Sequence, residues 1–341
     1  MGAYRLHAEL GRGGMGVVYL ARRLVGRPVA LKALRPDLTS EPEHWRRFFD
    51  EATLLQRLAH PAFCRIHDVG QADGLPFFTM ELLVGRPFSD LVRRAPEAPL
   101  AESLPVMLHL LADVADGLHV LHELSGSGGR RLGVVHRDLC PSNLFALHDG
   151  SIKILDLGIA SWRGRMPLPG EGLLPGKPSY LSPEAIEGRP TDHRSDIWSL
   201  GVVLWEAITR ERLFGGPDRE ARLRAVSRNP IPLPSQVRGD VPWTLDAVVA
   251  KALQRDPNDR FTDAHAMSQA LRAIFPETTR ADVTRWLRSR FPGDRDDAVA
   301  AIAAAIAGEP SSPLPRLPGA RFDDGVTTEV SSLLEPGAAA R

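Results

Sequence analysis

Three oxygen-bearing side chains, Asp138, Asn143 and Asp156, stand at intervals that let them meet at one site. The first two lie in His136-Arg137-Asp138-Leu139-Cys140-Pro141-Ser142-Asn143, directly after the apolar pair Val134-Val135. The chain then reads as strand, turn and strand: Leu144 to Leu147, Asp149-Gly150, and Ile152 to Leu155. That hairpin ends in Asp156-Leu157-Gly158 and so returns Asp156 to the side of the loop. The carboxylate of Asp138 can take a proton from a hydroxyl, while Asn143 and Asp156 offer hard oxygen ligands to a magnesium ion on phosphates. A hairpin with polar turn residues carries the same letters, so the rest of the chain must supply partners for phosphate chemistry.

The elements that would position such a site begin at the N-terminus. Gly11-Arg12-Gly13-Gly14-Met15-Gly16 matches Gly-x-Gly-x-x-Gly, a pattern that before a helix would indicate a dinucleotide site. Here Val17 to Ala21 reads as a strand, Gly26 to Pro28 as a turn and Val29-Ala30-Leu31-Lys32 as the returning strand. A glycine-rich hairpin tip can bring its backbone close to phosphates because no Cβ blocks the approach. Ser40-Glu41-Pro42-Glu43 predicts a helix start, with Ser40 as N-cap, Glu43 closing a capping box and Pro42 in the first turn. Apolar residues at Phe48, Ala52, Leu55 and Leu58 mark one face of that helix. Glu51 sits at the margin of the face, either solvated or paired with a cation. Strands are expected over Cys64 to Val69 and Pro76 to Met80 around Asp73-Gly74, and a core helix over Leu104 to Glu123. Ser125 to Gly129 reads as a surface loop.

In this order and spacing the motifs resemble those of the eukaryotic-like (Hanks-type) serine/threonine protein kinases of bacteria. His-Arg-Asp with Asn143 resembles the catalytic loop, Asp156-Leu157-Gly158 the magnesium loop, and Val-Ala-Leu-Lys the strand presenting a phosphate-binding lysine. The resemblance covers about Tyr4 to Phe275. It implies an α/β (α+β) fold of two lobes: a five-strand antiparallel small lobe with one helix over a mainly helical large lobe. It implies ATP and Mg2+, with transfer of the γ-phosphate to hydroxyls of protein substrates. Asp138 would be the base, Lys32 would hold phosphates under the cover of Gly11 to Gly16, and Glu51 would fix Lys32. Asn143 and Asp156 would hold the metal. Val18 and Ala30, with backbone groups of Glu81 and Leu83 and with Met80 behind, would enclose the adenine. Ser182-Pro183-Glu184 would close an activation segment begun at Asp156, whose middle, Trp162 to Pro175, reads as a mobile loop. Asp196 would bind the catalytic-loop backbone and Arg260 would pair with Glu184. Lys153 would be structural. Small-molecule kinases share the Asp…Asn loop but are not expected to carry the Pro-Glu element, Asp196 and Arg260 together.

Two departures stand out. The family normally has Lys two residues after its catalytic Asp, where this chain has Cys140, and Thr in Gly-Thr-x-x-Tyr, where it has Lys177. Those positions face each other across the substrate site in the family fold. Lys177 therefore either replaces the missing cation, and is then itself a catalytic residue, or marks drift towards a nucleotide-binding pseudokinase scaffold. Only Ser161 and Ser179 carry hydroxyls between Gly158 and Tyr180, apart from Tyr180 itself, so a phosphothreonine switch on Arg137 is not expected; Glu171 could mimic one weakly.

Composition excludes several other classes. Lys+Arg and Asp+Glu both number 42, giving no bulk field for nucleic acid or membrane surfaces, and only four of those cations are Lys. Cys64 and Cys140 form no disulfide framework, and the N-terminus lacks an apolar signal segment, so a cytoplasmic chain is expected. The longest apolar run, Ala298 to Ala307, is about half of the roughly 20 residues that a bilayer needs, so no membrane span is expected. The domains read as 1–84 small lobe, 85–275 large lobe, 276–307 short helical extension and 308–341 disordered tail. In the extension Ala281 to Phe291 and Asp294 to Ala307 read as helices. Val283, Trp286 and Leu287 form a patch that packs in cis or binds a partner. Thr278, Thr279, Thr327 and Thr328 are candidate autophosphorylation sites that a phosphothreonine-binding partner could read.

Overall fold

A computed structural model describes residues 1–94, 98–126, 128–157, 160, 176–308 and 314. Trp162 to Pro175, Ser161, Gly158, Glu171, Thr327 and Thr328 lie outside the described residues, as does the 308–341 tail apart from Gly308 and Leu314.

The first part of the chain is an antiparallel sheet of β1 (Tyr4–Arg12), β2 (Gly16–Arg23), β3 (Val29–Leu34), β4 (Ile66–Ala72) and β5 (Leu75–Met80), in the order β1-β2-β3-β5-β4. Helix α1 (Pro42–Arg57) lies on one face, where Phe48 and Ala52 join Ala8, Leu10, Val18, Leu20, Ala30, Phe78 and Met80 in one apolar cluster. Side chains alternate along a strand, so Ala30, Lys32 and Leu34 share that face while Leu31 and Ala33 belong to a second cluster behind the sheet. Lys32 is thereby aimed at α1.

Helix α1 does not start as the sequence suggests. Its N-cap is Glu41, extended at φ −103° and ψ 114°, with no side-chain cap, and Pro42 occupies the first turn. Proline pushes the residue before it out of the helical region, so Pro42 fixes the start one residue too late for Ser40 to cap. The β4–β5 pairing also runs further than expected, to Ala72 opposite Leu75. Asp73 and Gly74 both take positive φ, 52° and 76°, and make a two-residue turn that consumes no strand residue.

The second part holds a small sheet, β6 (Gly85–Pro87), β7 (Leu144–Leu147) and β8 (Ile152–Ile154), and helices α2 (Phe88–Arg94), α3 (Leu100–His122), α4 (Pro183–Ile186), α5 (Arg194–Thr209), α6 (Arg219–Arg228), α7 (Pro234–Val237), α8 (Trp243–Ala252) and α9 (Ala264–Arg272). Helix α3 is long and apolar enough to cross a membrane by composition, yet 67% of its apolar window is buried. It is the axis of the large core, with Leu108, Leu111 and Leu118 against Trp198 and Leu204 of α5 and Met267 and Leu271 of α9.

Helices α10 (Arg280–Arg290) and α11 (Asp294–Ala307) follow. Val283, Trp286 and Leu287 of α10 are buried in the large-lobe core, so the patch packs in cis. Its docking requires the glycine at 150, with φ +85°, because a Cβ there would lie 2.4 Å from the Arg280 carbonyl. Thr279, exposed but not disordered, is the N-cap of α10 and forms a capping box with Asp282.

Arg260 and Glu184 join α4 to the region before α9, with Nη1–Oε1 at 2.8 Å and Nη2–Oε2 at 2.6 Å, both residues nearly inaccessible. Ser195 donates to the same carboxylate, and Arg260 also donates to the Arg194 and Gln254 carbonyls. Removing one partner of such a pair leaves a buried charge uncompensated, so Arg260→Ala should lower stability by about 3–5 kcal/mol in urea unfolding, with Arg260→Lys intermediate.

Candidate active site

The loop from His136 to Asn143 is held from below by Asp196, which is fully buried in the first turn of α5. Its carboxylate accepts the N–H of His136 at 2.8 Å and of Arg137 at 3.0 Å, and lies 2.8 Å from Nε2 of His122 on α3. Arg137 adopts a left-handed backbone, φ 71°, and Asp156 does so too at 59°. A non-glycine residue holds such a conformation only when its surroundings impose it. From above, the His136 ring lies 3.2 Å from the Leu155 carbonyl and accepts the Asp138 N–H on its other nitrogen. The Leu155 N–H donates to the Asn143 carbonyl, so the chain leaving β8 is tied to Asn143 one residue before Asp156.

Asp138, Asn143 and Lys177 meet directly. The Asn143 amide donates to the Asp138 carbonyl and Oδ2 at 2.8 and 2.9 Å, and the Lys177 N–H reaches Oδ1 at 3.2 Å. The Lys177 ammonium hydrogen-bonds the Ser142 hydroxyl, which lies 3.4 Å from Cys140 Sγ. Ser142, which the sequence did not single out, therefore links the two departures. Lys177 can come this close because Gly176 (φ +97°) lets the backbone pass; a Cβ there would sit 2.8 Å from the Arg137 carbonyl. Ser179 is buried and donates to the Phe214 carbonyl at 2.7 Å.

Burial and the nearby Asp156 carboxylate push the Asp138 pKa above its ordinary value, against the pull of Lys177, His136 and the Asn143 hydrogen bond. Two carboxylates close enough to feel each other's charge, with the Asn143 amide hydrogen-bonded to one of them, offer hard oxygen donors. They fit a magnesium ion that takes one or two carboxylates and completes its shell with phosphate oxygens.

Across the cleft, Lys32 Nζ lies 2.8 and 2.9 Å from the two Glu51 oxygens, and the Glu51 side chain is only 4% exposed. Val18 faces Lys32 across the β2–β3 pair. The Gly11 to Gly16 turn, which includes Arg12, Gly13, Gly14 and Met15, closes on a Gly13 N–H bond to the Gly16 carbonyl at 2.7 Å. Arg35 ties it down, donating its N–H to Met15 and its guanidinium to Gly14. Beside this region is a cavity of about 370 Å³, roofed by Leu10 and Ala30 and floored by Phe145, with Met80, Glu81 and Leu83 along one side. The Glu81 side chain points away, to Lys153 at 2.6 Å and the Arg65 N–H at 2.9 Å. Among the described residues, no hydrogen bond reaches the Glu81 carbonyl or the Leu83 N–H, which leaves both to a ligand edge. Val18 belongs to the same apolar cluster but does not line this cavity.

A family model described as the protein kinase domain matches residues 4–272, which include every group named in this site. The chain belongs to the protein kinase family. The kinase is 39% identical over 280 residues to the tyrosine-protein kinase MasK of Myxococcus xanthus, covering 81% of this chain and 43% of MasK. It is 34% identical over 290 residues to the serine/threonine-protein kinase Pkn1 of Myxococcus xanthus, covering 83% of this chain and 40% of Pkn1. The crystal structure of a point mutant of the Mycobacterium tuberculosis PknI kinase domain superposes with a TM-score of 0.57 at 28% identity, covering 80% of this kinase and 95% of that domain. The chain spans less than half the length of these two curated relatives.

Burial pushes the Asp196 carboxyl up, but the His122 hydrogen bond, the charges of His122 and His136 and the His136 N–H outweigh it and leave its pKa below the ordinary 3.8. A depressed carboxyl contributes stability that is present above its unfolded pKa and lost as pH falls through its folded one. Asp196→Ala leaves two N–H groups buried without an acceptor and should cost about 3–5 kcal/mol at pH 7. In parallel acid titrations of unfolding free energy, the gap between wild type and variant should close below about pH 4, the ordinary carboxylate range.

Proposed function

We propose that the chain transfers the γ-phosphate of ATP to serine and threonine hydroxyls of proteins. The observation that carries this reading is the convergence of Asp138, Asn143 and Lys177 on one point, together with the buried Lys32–Glu51 pair. Such transfer needs little covalent chemistry; positioning and charge neutralisation set its rate. Asp138 orients the acceptor hydroxyl and takes its proton, and its raised pKa brings it nearer to that task. Lys32, fixed by Glu51, binds the α- and β-phosphates, and the Gly11 to Gly16 turn covers them. Asn143 and Asp156 would hold magnesium, which when bound would neutralise charge on the phosphates. The adenine lies against Ala30, with its edge on the Glu81 carbonyl and the Leu83 N–H. Serine/threonine preference is favoured by the names of several relatives, Pkn1 among them, while MasK is named a tyrosine kinase. Phosphoamino-acid analysis of radiolabelled casein and of a Glu–Tyr copolymer decides between them: label on serine or threonine supports this reading, and label on tyrosine alone replaces it.

Two outcomes test the chemistry. Asp138→Asn should abolish transfer while retaining ATP–Mg binding in calorimetry, because Lys32 and the metal ligands remain; near-normal phosphorylation would remove Asp138 as base.

Lys177 stands in for the cation missing at Cys140, a reading supported by their shared neighbour Ser142. Lys177→Thr should therefore lower kcat by about 100-fold, the scale of one lost transition-state donor, with little change in nucleotide affinity. Adding Cys140→Lys should recover much of that loss, a non-additive pair because both act on one phosphate. Singles that merely sum would favour the scaffold reading instead.

A further inference from the structure

Helix α11 lies beyond the residues that the family model matches, yet it forms a side of the cavity at Glu81 to Gly85, the hinge between the two lobes. Its partly buried positions are Asp294, Ala298, Ala301, Ile302, Ala305 and Ile306, with Asp296, Asp297, Val299, Ala300, Ala303 and Ala304 exposed. Spacings of three and four place the first set on a single face. The face is divided by function. Ile302, Ala305 and Ile306 pack against the apolar cluster under the small sheet. Ala298 and Ala301, with Asp297 and Ile302, line the cavity opposite Glu81 to Arg86. The N-terminal end is fixed by Asp294, which takes the Arg86 guanidinium in a two-pronged pair (Nε–Oδ2 2.8 Å) and lies 3.1 Å from His148.

The helix does not fill the space. The cavity keeps about 370 Å³ with α11 in place, within the range of roughly 300–1,000 Å³ in which small-molecule ligands are held. The residues facing it at mid-helix are alanines, the smallest side chains that still favour a helix. At the rim Asp297 presents a carboxylate that is acceptor-only when ionised, the partner a sugar hydroxyl requires. From these contacts we infer that α11 is a wall of the nucleotide site, holding the nucleoside half of ATP against the hinge through Ala298 and Ala301 and its ribose hydroxyls through Asp297. This rests on the kinase reading above, because the cavity is taken as the adenine end of the ATP site.

The test is calorimetric titration of the full chain with adenosine, which carries no phosphate and so reports this end of the site alone, and with ADP–Mg. Wild type should bind both. Ala301→Trp puts a large ring into the cavity and should weaken adenosine at least about tenfold, by displaced contact area, without moving the ligand-free melting temperature. Ile306→Asp, which touches the small-lobe cluster and not the cavity, lifts the helix and should weaken adenosine about three- to tenfold by loss of one wall. Asp297→Asn should weaken adenosine while leaving 2′,3′-dideoxyadenosine unchanged. Unchanged affinity in Ala301→Trp and Ile306→Asp, or tighter binding in Ile306→Asp, would overturn the wall and make α11 a bystander or an obstruction. A wild type that binds neither probe would instead overturn the kinase reading itself, and this inference with it.

Discussion

A carboxylate buried to zero exposure is among the costliest groups a fold can carry, and Asp196 repays that cost by organising the catalytic loop. Its two oxygens take the consecutive N–H groups of His136 and Arg137 and the imidazole of His122. Its place in the first turn of α5 adds the favourable end of the helix dipole. The left-handed backbone at Arg137 is sustained by this arrangement, and it decides where Asp138 points. His136 then extends the same chain of contacts upward to Leu155, hence to Asp156. One charge thus sets the relative position of the proposed base and one proposed metal ligand, although it touches neither.

Above that platform the site is a balance of charge. Burial first, and then repulsion from Asp156, hold the Asp138 carboxyl above its ordinary pKa. The charge of Lys177 and the Asn143 hydrogen bond pull the other way from within the large lobe, and Lys32 pairs with Glu51 in the small lobe. Two neighbouring carboxylates suit a divalent cation with phosphates, and the Lys177 ammonium stands one hydroxyl, that of Ser142, away from Cys140 Sγ. Cys140 itself contributes no charge there: burial and the Asp138 carboxylate hold its thiol above its ordinary pKa.

Most of this was legible in the sequence because its determinants are local. The Lys32 strand is read from the run Val29-Ala30-Leu31 returning after the Gly26 to Pro28 turn, the Glu51 helix from Phe48, Ala52, Leu55 and Leu58, and the hairpin bearing Asp156 from Asp149-Gly150. Pairings over long range, Asp196 with the loop and Arg260 with Glu184, were legible only through the resemblance, since no spacing rule links residues 60 or 76 positions apart. Ser40 was misread because a capping box was matched without weighing the stronger constraint that Pro42 puts on Glu41. Helix α11 was found but its face was not. Its alanine-rich turns give almost no contrast between sides, and only its place in the cavity lining distinguishes Ala301 from Ala303.

That low contrast bears on how the lobes are coupled. Helix α11 touches both, but by unlike means. Toward the large-lobe side it is held at Asp294 by a two-pronged charged contact with Arg86, whose direction is fixed by the guanidinium fork. Arg86 is fixed in turn by the Phe291 ring 4.6 Å away, just before α11 begins. Toward the small lobe the contact is Ile302, Ala305 and Ile306 on an apolar cluster, an attraction without direction. A change in the angle between lobes would therefore leave the Asp294 end in place and slide the apolar end over Leu10 and its neighbours. The cavity would then widen or narrow at Ala301 and Ile302 more than at Asp294, making the far half of α11 the part of the wall that follows the small lobe.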